Sequence, residues 1–272
     1  MRKKALSPSV STSAPLLAAL LLLAASIALP GAASGQELGD VVTLPGGTFL
    51  MGGHDGKPDA APAHEVVLSP YTMDAHEVTA LDFGLFLDDI GTIILDGNPL
   101  VDLGVSNVET ESGWFFPKKG AAEYPVVGVT WYGATAFAEW AGKKLPTEAQ
   151  WEYAARGGLD EKPYPWGDGF DALRSNLAGS FTEPTPVMSY IPNGYGLFDM
   201  AGNVMEWTRD RYGEEYYARS PDKDPKGPIR GDERVARGGA WDSIEPTTVY
   251  DRTPLPPETA LPNLGFRCVV EE

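Results

Sequence analysis

The stretch that decides the fold reads Lys144-Leu145-Pro146-Thr147-Glu148-Ala149-Gln150-Trp151-Glu152-Tyr153-Ala154-Ala155-Arg156-Gly157-Gly158. A threonine followed three residues later by a glutamine forms a capping box, in which each side chain satisfies a backbone amide of the other. A glycine pair ends the helix, because glycine adopts the left-handed conformation found at helix C-termini. The pattern predicts a helix that opens at Thr147 and runs to about Arg156.

A second helix is predicted just upstream, where Thr130 caps Trp131–Ala141 and Gly142 ends it. A third, shorter helix is predicted from Thr79 to about Leu87. Residues 88–124 are interpreted as a long, irregular surface excursion, and loops of this length often contact partners. Strand patterns cover both ends of the chain, at Val41–Leu44, Thr48–Met51, Glu65–Leu68, Tyr71–Glu77, Arg234–Gly238 and Gly265–Val270. Short strands at both ends with two paired helices between them indicate an α+β fold with little regular secondary structure.

The first 35 residues have the pattern of a secretory signal peptide. Three basic residues at positions 2–4 precede a Leu/Ala-rich run from Leu16 to Leu29, and small residues follow at 32–35. No cysteine lies near the expected cleavage point, so no lipid anchor through cysteine is expected. We therefore expect a mature domain over residues 38–272 that is secreted or periplasmic.

The charge of the chain excludes some partners. The formal net charge is −17 at pH 7, so a nucleic-acid backbone would be repelled and no nucleic-acid partner is expected.

The chain has one cysteine, Cys268, so no intramolecular disulfide can form. Cys268 lies in a predicted buried terminal strand, which favours an inert core thiol over a nucleophile.

An ordered set of segments resembles the sulfatase-modifying factor family, also called the formylglycine-generating enzyme family. Besides the helix quoted above, the set comprises Pro45–Gly52, His64–Val66, His76–Thr79, Tyr164–Gly167, Asn193–Trp207, Arg237–Trp241 and Gly265–Arg267. Each segment is weak evidence alone, but together they occur in the family's order across residues 45–268. The resemblance implies the family's C-type-lectin-like fold.

The best-known activity of that family oxidises a sulfatase cysteine to formylglycine, with oxygen and a copper ion held by two thiolates. In this chain the positions of the two thiols hold Ser243 and Thr248, the family's active-site serine falls at Ala240, and a tryptophan near the oxygen site falls at Met205. A neutral hydroxyl cannot replace a thiolate as a ligand for Cu(I). We therefore expect no copper and no oxidase activity of this kind.

The resemblance also implies calcium. The family's structural calcium would here be bound by the side chains of Asp199 and Glu206 and the carbonyls of Gly202 and Val204, and hard oxygen ligands of this kind suit Ca²⁺. A second, weaker site would use Asn176 with the Leu177 and Phe181 carbonyls. The family's acidic ligand falls at Gly179, so this second site lacks a carboxylate.

The histidines offer a different metal site. His54, His64 and His76 all lie in the first third of the chain, and three histidines could bind iron or zinc. Their spacings match no compact ligand motif, and His64 falls where the family commonly has a strand histidine. We do not expect a metal site there.

Three functions stay open at this point. The first is a binding, structural or accessory module, in effect a pseudoenzyme, that recognises a protein or peptide through residues 88–124 and the surface around Trp241 and Arg252. Arg252 could equally pair with a buried carboxylate. The second is an oxidoreductase of different mechanism, with Asp242, Glu245 or Asp251 as a base of raised pKa. The third, least favoured, is formylglycine generation itself.

Overall fold

The computed structural model describes residues 39–53, 57–179 and 181–271, which belong to one compact unit. The predicted signal peptide, residues 1–35, lies outside the described residues, so export stays a prediction. None of the helices in the described part of the chain has the length and apolar character that a membrane crossing requires.

In the described residues, three α-helices, two short 3-10 helices and thirteen short strands make up the regular structure, and long loops connect them. The helices are α1 (Ala80–Ile90), α2 (Trp131–Trp140) and α3 (Glu148–Arg156). The strands are β1 (Val41–Leu44), β2 (Gly47–Met51), β3 (His64–Leu68), β4 (Tyr71–Asp74), β5 (Ile94–Leu95), β6 (Asn98–Pro99), β7 (Val108–Glu111), β8 (Trp114–Pro117), β9 (Met205–Arg211), β10 (Arg234–Arg237), β11 (Thr253–Leu255), β12 (Leu264–Gly265) and β13 (Val269–Glu271). Mixed strands with few helices confirm the α+β class.

The two largest sheets among the described residues differ in the parts of the chain that they join. One has the order β1-β4-β13, with antiparallel pairing throughout, so the last strand lies against β4 in the first third of the chain. The other has the order β11-β10-β9-β12, in which β12 runs parallel to β9. The segment from 264 to 271 therefore contributes a strand to each sheet, and the single strand predicted over Gly265–Val270 is divided between them.

Residues 88–124 are not irregular throughout, contrary to the expectation. They form two β-hairpins, β5–β6 and β7–β8, each closed by a two-residue turn. The turn residues are Asp96-Gly97 and Ser112-Gly113, and all four have positive φ. Two consecutive positive φ values match the strand twist of a hairpin, which is why Asp-Gly is favoured there. The pair Asp96-Gly97 is therefore a local sequence signal for the first of these hairpins.

Buried side chains of the described ranges form two core clusters. Helix α3 lies in one of them with β2, β3 and β4, and its residues Trp151 and Ala154 are fully buried. Helices α1 and α2 lie in the other with Trp207 and Phe266, where Phe83 stacks on Phe137 at 5.9 Å between ring centroids. Helices α2 and α3 thus follow each other in sequence but belong to different clusters.

The caps predicted from sequence are present. Thr147 accepts a hydrogen bond from the Gln150 amide at 3.1 Å, and the Gln150 side chain accepts one from the Thr147 amide at 2.8 Å. Gly157 follows in the left-handed conformation with φ 59°. Helix α3 is therefore fixed at both ends by local chemistry, which holds its charged side chains in the core.

Candidate functional site

The two positions that hold thiols in the oxidases carry hydroxyls with local partners. The Ser243 hydroxyl accepts a hydrogen bond from the Ala240 amide at 3.0 Å. The Thr248 hydroxyl donates one to the Asp251 carboxylate at 3.0 Å, and the Thr248 amide donates another at 2.7 Å. Both side chains thus close turns in the loop after β10, and neither supplies a soft ligand.

The acidic residues of this loop are exposed or held by local hydrogen bonds. Asp242 and Glu245 are exposed to solvent, and Asp242 accepts a hydrogen bond from Asn263 at 2.7 Å. Asp251 is occupied by the Thr248 turn described above. None of these three carboxylates is buried, so the loop gives no support to a carboxylate base.

Cys268 is fully buried, as the sequence predicted. Its amide donates to the Asp74 carboxylate at 2.9 Å. Burial, together with the negative charge of Asp74, raises the pKa of the thiol well above its usual value. A protonated thiol without solvent access is neither a nucleophile nor a copper ligand.

Arg252 is not part of a surface, which corrects the proposal that it helps to form a docking site. The guanidinium is buried and pairs with both carboxylate oxygens of Glu148, at 2.6 Å from Nε and 3.0 Å from Nη2. It also donates to the Asp59 carbonyl at 2.8 Å and lies over the Tyr217 ring at 4.5 Å. The alternative of a buried ion pair is the one observed.

The predicted calcium segment forms a tightly curled loop before β9. Asp199, Gly202 and Asn203 all have positive φ. A Cβ on Gly202 would lie 2.2 Å from the Asn176 carbonyl oxygen, so this position requires glycine. One carboxylate oxygen of Asp199 accepts from the Met188 amide at 2.8 Å, and the other, Oδ1, is buried without a partner among the described residues.

Glu206, the second predicted calcium side chain, is already paired. Its oxygens accept from Nε and Nη2 of Arg267, both at 2.7 Å, and Oε2 also accepts from the Trp151 indole at 2.9 Å. Arg267 is fully buried, and Glu206 raises the pKa of its guanidinium against the opposing effect of burial. The charge of Glu206, a calcium ligand predicted from the sequence, is thus already neutralised by Arg267.

Glu77 is the residue of this site that sequence reasoning missed. It follows β4, is 0% exposed, and neither carboxylate oxygen has a hydrogen-bond partner in the described part of the chain. Burial and the nearby Asp199 raise its pKa well above the usual value. For Asp199, burial raises the pKa to about 6. The quoted segment His76–Thr79 contained the residue, but no spacing rule connects it to a loop about 120 residues later.

These unpartnered oxygens fit a cation. A buried carboxylate without a partner is costly unless it is protonated or binds a positive ion, and Ca²⁺ prefers carboxylate and carbonyl oxygens. Asp199, Glu77 and the carbonyls of the loop form a donor set of that kind. Three His, Cys, Asp or Glu side chains do not converge on a metal position anywhere in the described ranges, so backbone carbonyls would have to complete the coordination.

The second, weaker calcium position has one supporting feature. Asn176 is buried and its Oδ1 has no partner in the described residues, while its Nδ2 donates to the Glu183 carbonyl at 2.9 Å. Phe181 is 51% exposed, and Leu177 lies in the core. No carboxylate side chain contacts Asn176 among the hydrogen bonds of the described residues, so this position lacks the charge that calcium requires.

The histidines are not brought together as ligands. Nδ1 of His64 lies 3.1 Å from the Pro62 carbonyl oxygen, and its ring packs edge-on against Tyr217. Nδ1 of His76 lies 2.7 Å from the Glu77 carbonyl oxygen. His54 lies outside the described residues.

Comparison with known proteins identifies the class of fold and site. Residues 27–272 match the family described as "Sulfatase-modifying factor enzyme 1-like domain". The chain therefore belongs to this family. The solved structure of PvdO from Pseudomonas aeruginosa is similar, with a TM-score of 0.69, 26% identity and coverage of 85% of this chain and 94% of that one. The fold is the C-type-lectin-like fold of the family, as predicted.

Curated relatives carry different names. Serine/threonine-protein kinase pkn1 of Chlamydia caviae is 42% identical, but the match covers 84% of this chain and only 37% of that protein. Formylglycine-generating enzyme of Streptomyces coelicolor is 38% identical, with 90% and 93% covered. Inactive C-alpha-formylglycine-generating enzyme 2 of Bos taurus is 34% identical, with 93% and 94% covered. This chain thus spans little more than a third of its kinase relative and nearly all of the other two.

Proposed function

We propose that this chain is a family member without copper-dependent formylglycine-generating activity, which acts as a binding, structural or accessory module. The observation that carries the proposal is the pair Ser243 and Thr248 at the thiol positions, each hydrogen-bonded within its own turn. Copper(I) needs soft ligands, and the one cysteine of the chain is buried elsewhere. A relative of similar length that is called inactive supports the view that family membership alone does not imply the oxidase.

Copper binding tests this proposal directly. We expect the purified chain to bind no Cu(I) in competition with a chelator, and to leave the cysteine of a sulfatase-motif peptide unoxidised. The matched variant carries both Ser243→Cys and Thr248→Cys. Its affinity for Cu(I) should be at least about 100-fold higher than that of the unaltered chain, because it supplies two thiolates. Copper-dependent oxidation of the peptide by the unaltered chain would contradict the proposal.

We also propose that the module holds a structural calcium ion at the loop containing Asp199. The ion would neutralise buried carboxylates and fix the loop that precedes β9, whose backbone has three positive φ values. Elemental analysis of the purified chain should find about one calcium per molecule. A melting curve that does not respond to calcium, with no metal in the analysis, would contradict this part of the proposal.

We propose that the exposed surface binds a protein or peptide partner. The hairpin β7–β8 presents Trp114, whose side chain is 65% exposed next to its turn, and exposed tryptophans often anchor interfaces. Trp241 is half-buried in the loop after β10. We propose that export places this surface outside the cytoplasm, in the periplasm or the medium, where such a partner would be met.

A further inference from the structure

A cleft with basic residues around it is lined by helix α2, the segment that follows this helix, and strand β9. Its volume is about 400 Å³, within the range of roughly 300–1,000 Å³ that is typical of ligand sites. Ala138 and Leu145 line the cleft and are 1% and 3% exposed, and the half-buried Trp131 adds an aromatic surface. This basic cleft therefore offers an apolar interior to a ligand.

Two of the cations that line the basic cleft share one carboxylate. Nζ of Lys144 lies 2.7 Å from Oε2 of Glu271, and Nη2 of Arg209 lies 2.7 Å from Oε1 of the same residue. The side chain of Lys144 is 55% exposed and that of Arg209 is 29% exposed. Glu139 also lines the cleft, but it is exposed to solvent. Lys144 and Arg209 therefore remain accessible to an anion that enters the cleft.

Two further arginines extend the positive charge along the sheet. Arg211 of β9 and Arg234 of β10 are directly paired in the strand register, so both side chains lie on the same face of the sheet. Arg234 lies over the Trp131 ring at 3.6 Å and donates to the Arg209 carbonyl at 2.9 Å. Arg211 donates to the Gly231 carbonyl. Both guanidinium groups thus bond to carbonyls, and neither forms an ion pair with a carboxylate among the described residues.

This arrangement concentrates like charges. Like charges directly opposite each other on neighbouring strands are unfavourable, and burial, followed by the charge of Arg211, lowers the pKa of Arg234 to about 10. Asp210 precedes Arg211 on β9 and therefore points to the other face of the strand, where it accepts from the Glu148 amide at 3.0 Å. The four cations thus outnumber the two acids near the basic cleft, in a chain whose formal net charge is −17.

A hydroxyl in the basic cleft lacks a partner. Thr135 lies one turn after Trp131 on α2 and lines the cleft. Its Oγ1 is buried without a hydrogen-bond partner in the part of the chain that the structure describes. A threonine in a helix can donate to the carbonyl four residues earlier, and a buried hydroxyl left unpaired is unfavourable. This hydroxyl is therefore available to an acceptor that enters the cleft.

We infer that the basic cleft binds an acidic peptide segment of a protein partner. One bulky apolar side chain of the segment enters the cleft, and flanking carboxylates contact Lys144, Arg211 and Arg234. The inference rests on the proposed role as a binding module and names the chemistry of the partner. It concerns other residues than the exposed Trp114.

The charge of the whole chain favours a short anionic ligand. Exposed charges act over about 10 Å at about 0.1 M salt, so the cations of the basic cleft attract only groups close to them. A nucleic acid or an anionic membrane extends beyond this distance and would meet the acidic remainder of the surface, which repels it. A short acidic segment with an apolar side chain matches both the local positive charge and the apolar interior.

Calorimetric titration of the purified chain with synthetic peptides tests the inference. The probe is the acetylated and amidated peptide Glu-Glu-Phe-Glu-Glu, and the matched peptides Glu-Glu-Ala-Glu-Glu and Gln-Gln-Phe-Gln-Gln lack the aromatic side chain or the charges. We expect the probe to bind saturably, and each matched peptide to bind at least about 10-fold more weakly. The affinity for the probe should fall as salt is added. Equal affinity for all three peptides, or no binding of the probe, would overturn the inference.

A pair of arginine variants locates the binding site. Arg211→Gln removes one cation and leaves Arg234 over the Trp131 ring, and it should weaken binding of the probe by at least about 5-fold. Arg219→Gln is the matched control, because it makes the same change of charge at an exposed arginine beside Glu215. This control should bind the probe as the parent does. Equal weakening in the two variants would mean that only the net charge matters, which would overturn the site.

Thr135→Val separates binding from stability. The variant keeps the shape of the side chain and removes the unpartnered hydroxyl, so it should melt no lower than the parent. It should nevertheless bind the probe at least about 3-fold more weakly, because a hydrogen bond to the peptide is lost. A threonine with a purely structural role would change the melting temperature alone. Unchanged affinity in both Thr135→Val and Arg211→Gln would overturn the cleft as the binding site.

Failure of this inference is distinguishable from failure of the proposed function. A chain that neither binds copper nor takes up the probe is still a family member without the oxidase, but the inference is then wrong. Copper-dependent oxidation of the sulfatase-motif peptide contradicts the proposed function, whatever the cleft binds. Saturable binding of phosphatidylglycerol vesicles instead of the probe, lost in Arg211→Gln, would overturn the assignment to a peptide.

Discussion

At the scale of single residues, three fully buried arginines organise the polar core. Arg237 donates to Glu148 at 2.5 Å and to Glu152 at 2.7 Å, and its guanidinium lies over the Trp151 ring. Arg252 shares Glu148, and Arg267 pairs with Glu206. Paired charges of this kind are costly to break, since the partner left behind is a buried charge. These arginines, which could be taken for site residues from the sequence, stabilise the fold in this protein.

Removing one of these arginines should destabilise the fold strongly. We expect Arg252→Met to lower the free energy of unfolding by about 3 kcal/mol or more, because the volume is largely kept while Glu148 loses a bidentate partner. Urea denaturation monitored by tryptophan fluorescence measures the change. The control is Arg219→Met, at an exposed arginine 4.0 Å from Glu215, which should cost less than about 0.5 kcal/mol. Equal losses in the two variants would contradict the network's role.

At the scale of elements, the loop before β9 depends on backbone conformations that only certain residues adopt. Gly202 has φ +87° and no room for a Cβ, whereas Gly179 has φ +76° and open space around the same position. An alanine at either position would therefore be strained by the left-handed backbone, but only an alanine at position 202 would also clash with a neighbouring atom. Comparing the two substitutions separates the cost of backbone strain from the cost of the clash.

The pair of glycine substitutions should behave unequally. Gly179→Ala should lower the free energy of unfolding by about 1 kcal/mol, the cost of positive φ for alanine. Gly202→Ala should cost at least about 2 kcal/mol more, because the new methyl group meets the Asn176 carbonyl. Thermal melts of both variants, with and without calcium, measure the difference. Similar melting temperatures would show that the loop can open at Asn176.

The elements also show what sequence could predict. Capping boxes and a following glycine are local, so α3 and its end were predicted from adjacent residues, and β1 was predicted over the observed range. The hairpins in residues 88–124 were missed because their strands are short and largely exposed, which leaves little hydrophobic alternation. Strand β9 was missed because buried residues lie on both of its faces. Its sequence therefore lacks a regular alternation of buried and exposed positions.

At the scale of the whole molecule, the site could be predicted only in part. Asp199 and Gly202 could be named as candidates because they belong to one contiguous motif. Glu77 was not found, because it reaches the loop through the pairing of β4 with the last strand and through Arg267. The role of Arg252 was likewise left open, since its partner Glu148 lies about 100 residues away. Long-range pairing of charges is a property of the fold and leaves no local pattern.

The stability of the whole molecule should depend on pH through Asp210. Burial, followed by the charge of Glu148, raises the pKa of this carboxyl to about 7 from an ordinary value of 3.8. Between these two values the folded state holds a proton that the unfolded state has released. The free energy of unfolding contributed by this group therefore falls as pH rises from about 4 to about 7, by at most about 1.4 kcal/mol per pH unit.

Asp210→Asn isolates this contribution, because the amide oxygen can still accept from the Glu148 amide, 3.0 Å from Asp210 in the parent. The stability of the variant relative to the parent should rise steadily from pH 4 to pH 7 and then level off, in urea titrations at each pH. Taking the difference cancels groups such as Glu271, whose pKa Arg209 and Lys144 lower to about 2 despite the opposing effect of burial. Parallel curves for the parent and Asp210→Asn would mean that Asp210 is ionised throughout this range and that the buried network tolerates its charge.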